Sequence, residues 1–112
     1  YGDDAQRPPA GRVVATRQDS GADGTTRRFV IDFAGRNLDS LPADRPPAAV
    51  ISSGPSSVAQ LLDHHVVRIP ETKVWRLTFQ IKPKTKNPIE LRAFLAGDRG
   101  ALSETWSHVV LQ

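Results

Sequence analysis

Between Val74 and Pro83 apolar and polar side chains alternate almost without a break. Trp75, Leu77, Phe79 and Ile81 fall on one face, and Arg76, Thr78, Gln80 and Lys82 on the other. Successive side chains of a strand point to opposite sides of a sheet, so this run predicts a strand with one packed face and one wet face, the signature of an antiparallel sheet. The same period returns at Phe29, Ile31 and Phe33, alternating with Arg28, Val30 and Asp32, with Gly35 closing the run. Further extended stretches are Gly11 to Arg17, Ala48 to Ser53, Val66 to Ile69, Ile89 to Leu95 and Leu102 to Leu111, bounded by Pro, Gly or Ser. About seven short strands in roughly 100 residues predict an all-β, immunoglobulin-like antiparallel sandwich. Its expected core is Phe29, Ile31, Phe33, Trp75, Leu77, Phe79, Ile81, Leu91 and Leu95. The competing helical pattern is Val58, Leu61, Leu62 and His65, spaced i, i+3, i+4, i+7. The β-branched Val66, Val67 and Ile69 that follow favour an extended chain instead.

The chain has 112 residues, the length of one domain, and no cysteine, so no disulfide or thiolate chemistry is expected. No stretch approaches the roughly 20 apolar residues of a membrane span, and none reads as a signal peptide. There is no methionine and the sequence opens on Tyr1. The chain therefore reads as part of a longer product, with residues 1–9, rich in Gly, Pro and Asp, as an interdomain connector and residues 10–112 as the sandwich. The net charge of +3 comes from Arg and Lys scattered along the chain. The densest basic run, Lys82-Pro83-Lys84-Thr85-Lys86, lacks the interleaved aromatics of a nucleic-acid site and reads as a solvated hairpin tip.

Several segments together resemble one family. Arg27 to Gly35 with Leu41-Pro42-Ala43-Asp44, Trp75-Arg76-Leu77 with Lys82-Pro83, Ile89 to Leu95, and Leu102-Ser103-Glu104-Thr105-Trp106 resemble the carboxy-terminal domain of the bacterial periplasmic glucan biosynthesis proteins of the G and D type. Gly2-Asp3-Asp4 and Pro8-Pro9 before Arg12 to Arg17 resemble the join between that family's two domains. The segment Ile51 to Ile69 departs from the pattern. The resemblance implies a periplasmic location, an E-set type of immunoglobulin-like fold, and an accessory role beside an amino-terminal catalytic domain acting on a β-1,2-linked glucan backbone. It transfers no catalytic residue to this chain, and no cofactor is expected.

Each chemical candidate has a plainer alternative. His64 and His65, beside Asp63, suggest a metal, but adjacent residues of a strand leave opposite faces and His108 is distant in sequence. Glu90 and Glu104 are the pair that a glycoside-active enzyme would use, given carboxyl groups about 5 Å apart for retention or 6.5–9.5 Å for inversion. Their polar neighbours, Arg92 among them, read instead as an ion-paired surface. Asp32 interrupts an apolar strand and is expected to face outward with Val30, since a buried carboxylate needs partners. No Gly-x-Ser-x-Gly turn supports a serine nucleophile. Trp75 belongs to the core. Trp106 shares its face with Leu102 and Val110 but also with Glu104 and His108, which leaves it a core or a domain-interface residue, and Phe94 lies opposite the Ile89-Leu91-Ala93-Leu95 face. Both are candidate interface residues, and an exposed Trp106 is also the platform on which an independent β-glucan-binding module would depend.

Overall fold

Strand β5 (Val74–Pro83) pairs on both flanks, and its alternation organises the first sheet. A computed structural model describes residues 10–21, 24–54 and 58–111, so the proposed connector lies outside the described residues. On one side of β5 runs β2 (Arg27–Ala34), with Phe29 opposite Phe79, Ile31 opposite Leu77 and Phe33 opposite Trp75. Beyond β2 lies the edge strand β1 (Arg12–Ser20). On the other side β4 (Ala59–Ile69) forms the opposite edge, giving the order β1-β2-β5-β4. The second sheet is built on β6 (Ile89–Gly97), flanked by β3 (Ala48–Ser52) and, on its other side, by β7 (Gly100–Ala101) and then β8 (Trp106–Val110). Every ladder between these strands is antiparallel.

The two inner faces meet in one core. Phe29, Ile31, Phe33, Trp75, Leu77, Phe79, Ile81, Leu91 and Leu95, the residues expected from the alternation, are all buried. Leu38, Ile89, Ala93, Trp106 and Val110 join them. Phe29 stacks on Phe79 with ring centroids 5.3 Å apart, and Trp106 meets both rings edge-on at 5.7 and 6.0 Å.

The helical alternative across Leu61, Leu62 and His65 gives way to the extended chain that Val66, Val67 and Ile69 favour: residues 59–69 form β4, held by its register against β5. Two details differ from the sequence reading. The helix that does form is a single turn, α1 (Arg36–Asp39), which seats Leu38 in the core. Its carbonyl accepts a buried 2.9 Å hydrogen bond from Trp75 Nε1–H. Finally, Lys82 to Lys86 is not a hairpin tip. β5 and β6 belong to different sheets, so the run carries the chain across the sandwich, and the Lys84 N–H donates to the Val58 carbonyl at 2.8 Å.

At the end of the sandwich where β6 finishes, the first strand is fastened to the last segment. Gly11 bridges Ser103 in parallel, its N–H donates to the Leu102 carbonyl at 3.1 Å, and the Glu104 N–H donates to the Gly11 carbonyl at 2.8 Å. A side chain on Gly11 would place its Cβ 2.5 Å from the Leu102 carbonyl oxygen, so only glycine permits this approach. β8 then runs the other way along the fold, ending with Val110 opposite Ile89. The described chain thus comes in at the Gly97 end and leaves at the Ile89 end.

Candidate functional site

On β4 the register sets His64 opposite Phe79 and His65 opposite Thr78, so the two imidazoles lie on opposite faces. Asp63, on the His65 face, accepts a 3.4 Å hydrogen bond from Gln80. Among the described residues no group of three or more His, Cys, Asp or Glu side chains gathers around a point. His108 is elsewhere, on the inner face of β8 opposite Leu91, where it stacks on Trp106 with centroids 5.6 Å apart.

The two glutamates are not brought together. Glu90 stands on the outer face of the second sheet and is ion-paired with Arg92, both side chains 60% exposed. Its cross-strand partner is Val109. Glu104 precedes β8, and the ladder between β6 and β8 does not set it beside Glu90. Glu104 is also committed: its Oε2 accepts the Val13 N–H at 2.8 Å, and Arg12 lies 3.8 Å from its other oxygen. Asp32 faces outward and is gripped by two hydrogen bonds from Arg76, 2.8 Å from Nε and 3.1 Å from Nη2. Hydrogen bonding to Asp32, reinforced by its charge, raises the Arg76 pKa above the ordinary guanidinium value.

Of the two places open to Trp106, core or interface, the fold gives it the core. The pattern around it placed Glu104 and His108 on its face as if that face were a surface. In the fold that face is the interior: Trp106 is opposite Ala93 and 7% exposed. Its ring is enclosed by Phe29, Phe79 and His108, which leaves no platform for a sugar or a docking partner. The polar neighbours misled because Glu104 turns to bond the backbone of β1 and His108 fills the core margin.

Phe94 lies on the outer face of the second sheet, half-buried, and its cross-strand neighbour is Val50, 42% exposed. The next outward position pairs Ala48 with Ala96, and Ala96 with Ala101. This face is therefore divided along its length. Towards Ile89 it carries Ser52, Arg92, Glu90 and Ser107 around a single exposed Val109, and towards Gly97 it carries Val50, Phe94 and the three alanines. Ala48 and Ala96 also line a groove of about 450 Å³ whose other walls include Leu41, Pro42, Pro47 and Leu102 together with the charged Arg45 and Asp98. Phe94 is conspicuous in the sequence. Its companions are not, because two alanines and a valine become a patch only once β3 is paired with β6.

The fold defines the class first: an antiparallel β-sandwich domain of two sheets, its carboxylates and imidazoles spread over both faces and the interior. The family model described as periplasmic glucan biosynthesis protein, MdoG, matches residues 1–110, and the chain belongs to that family. It is 39% identical over 102 residues to the glucans biosynthesis protein G of Sodalis glossinidius, covering 90% of this chain and 19% of that protein. The protein of the same name from Serratia proteamaculans is 41% identical over 81 residues, covering 71% of this chain and 15% of its own length. That of Pectobacterium atrosepticum is 35% identical over 103 residues, covering 91% of this chain and 19% of its own length. The chain thus spans less than a fifth of these relatives and corresponds to one portion of a larger protein.

Proposed function

We propose that this chain is the accessory, non-catalytic domain of a periplasmic glucan biosynthesis protein. It packs against an amino-terminal domain that carries the chemistry on the β-1,2-glucan backbone. One observation carries the reading: the family match runs through almost the whole chain, yet that chain spans at most 19% of the relatives' length. The acidic side chains support it, since Glu90, Glu104 and Asp32 are each occupied by an ion pair or a backbone N–H of the sandwich itself. The immunoglobulin-like assignment belongs to the same proposal and is supported by strand order. With β8 counted as the last strand, β1-β2-β5-β4 and β3-β6-β8 reproduce the ABED and CFG sheets of a constant-type domain. The binding-module alternative required an exposed Trp106, and the buried ring gives it no support.

The test is made on the full-length protein. Glu90→Gln combined with Glu104→Gln is expected to leave turnover of β-1,2-glucan within about twofold of the parent, where loss of a general acid or base costs about 10²–10⁴-fold. A loss of that size in a variant whose melting curve is unchanged would overturn the reading.

A further inference from the structure

We propose that the apolar half of the outer face of the second sheet, built on Val50 and Phe94, is the surface on which the amino-terminal portion of the same polypeptide docks. The proposal rests on the accessory-domain reading and adds to it a place. Three observations converge. Outward residues at the Gly97 end of β6 and its neighbours are apolar: Val50 is 42% exposed and stands beside Phe94, with Ala48, Ala96 and Ala101 adjoining. At the other end of the same face Glu90 and Arg92 form an exposed ion pair, which gives the patch a charged rim on that side. An apolar core with a polar rim is the anatomy of a protein interface.

The second observation concerns where the chain comes in. Gly11 is bonded to Leu102 and bridges Ser103, so the described chain begins at the Gly97 end of the sandwich, and Leu102 itself lines the groove that continues the patch. The third is the length of protein to be accommodated. The relatives are about five times longer than the segment this chain matches, and a domain tethered at Gly11 is held at high effective concentration beside the patch. The opposite end, where Val110 leaves, offers a single exposed valine, Val109, set beside the Glu90–Arg92 ion pair.

The experiment uses cysteine reactivity in the full-length protein, since this chain has no cysteine of its own. Val50→Cys and Ala48→Cys probe the patch. Val109→Cys is the control: Val109 is 49% exposed, close to Val50 at 42%, and sits on the polar half beside Glu90. Rates of maleimide addition are read peptide by peptide by mass spectrometry. Reactivity scales with the undocked fraction, so a patch docked about 90% of the time reacts about tenfold more slowly than the control, and the difference vanishes in denaturant. Adding Phe94→Ser should bring the rate at residue 50 up towards that at residue 109.

Equal rates at all three positions, equal protection of residue 109, or protection that Phe94→Ser leaves intact would overturn the proposal. Protection that disappears on dilution would mark a second copy of the protein and overturn it as well. Equal rates together with full activity of the Glu90→Gln, Glu104→Gln protein would remove the docking surface and leave the accessory role standing. Protection of residue 50 with that activity lost would do the reverse.

Discussion

Trp75 shows how much of a residue's work its neighbours in sequence declare. Its inward direction follows from the alternation of β5, and the ring is fully buried. Its hydrogen bond to the Leu38 carbonyl does not follow, because α1 lies 37 positions away and is only one turn long. Arg68 sits over the same ring, 5.8 Å from its centroid, and reaches Asp39 at 3.5 Å. Trp75→Ala is expected to lose about 3–5 kcal/mol of stability in urea unfolding. Trp75→Phe keeps most of the packing and removes the donor, so about 1–2 kcal/mol should be lost. If Trp75→Phe unfolded at the midpoint of the parent, the hydrogen bond would contribute nothing and packing alone would hold α1. His108 and Glu104 were illegible for a related reason. Polar residues bordering Trp106 suggest a surface until the backbone of β1 supplies a donor for one and Phe29 an edge for the other. Glu104→Ala should therefore destabilise more than Glu104→Gln, by on the order of 1 kcal/mol, since Gln retains an acceptor for the Val13 N–H.

Among the elements, the two edges of the first sheet share a device. β1 breaks register between Val13 and Ala15, and β4 between Leu61 and Asp63, so each edge strand carries a bulge. The extra residues, Val14 and Leu62, are 54% and 42% exposed. A bulge twists an edge and spoils it as a template for another strand. The bulge on β4 also explains the helical spacing of Leu61, Leu62 and His65. One inserted residue breaks the period of two, and what remains imitates a period near 3.6. Deleting Leu62 brings Leu61 and Asp63 into regular succession against Ile81 and Gln80. The deletion variant is expected to fold and to associate with itself as concentration rises, as read by sedimentation velocity. A monomer at every concentration would show that the bulge protects nothing.

For the whole molecule, the alternation on β2, β5 and β6 revealed the strands and most of the core, because half-buried strands write their burial at every second residue. Which strands pair was not written there. The crossing from β5 to β6 looks locally like a hairpin, with Pro83 and Pro88 around a basic run, and only the register of β5 with β2 and β4 places its ends in different sheets. The staple at Gly11 was equally hidden, since a glycine before a strand has many uses. Its role follows from the ends it joins. Residues 11–13 and 102–104 run in parallel, bonded through two backbone hydrogen bonds and the Glu104 carboxylate. The chain comes in at the Gly97 end and leaves at the other. A pull between Gly11 and Val110 would drag these two segments past each other along their length, loading the bonds together in shear instead of peeling them one at a time. Resistance to force is set by the rate of unfolding, so the clasp bears on mechanical lifetime more than on equilibrium stability. Force entering the described chain through Gly11 would meet this sheared seam first.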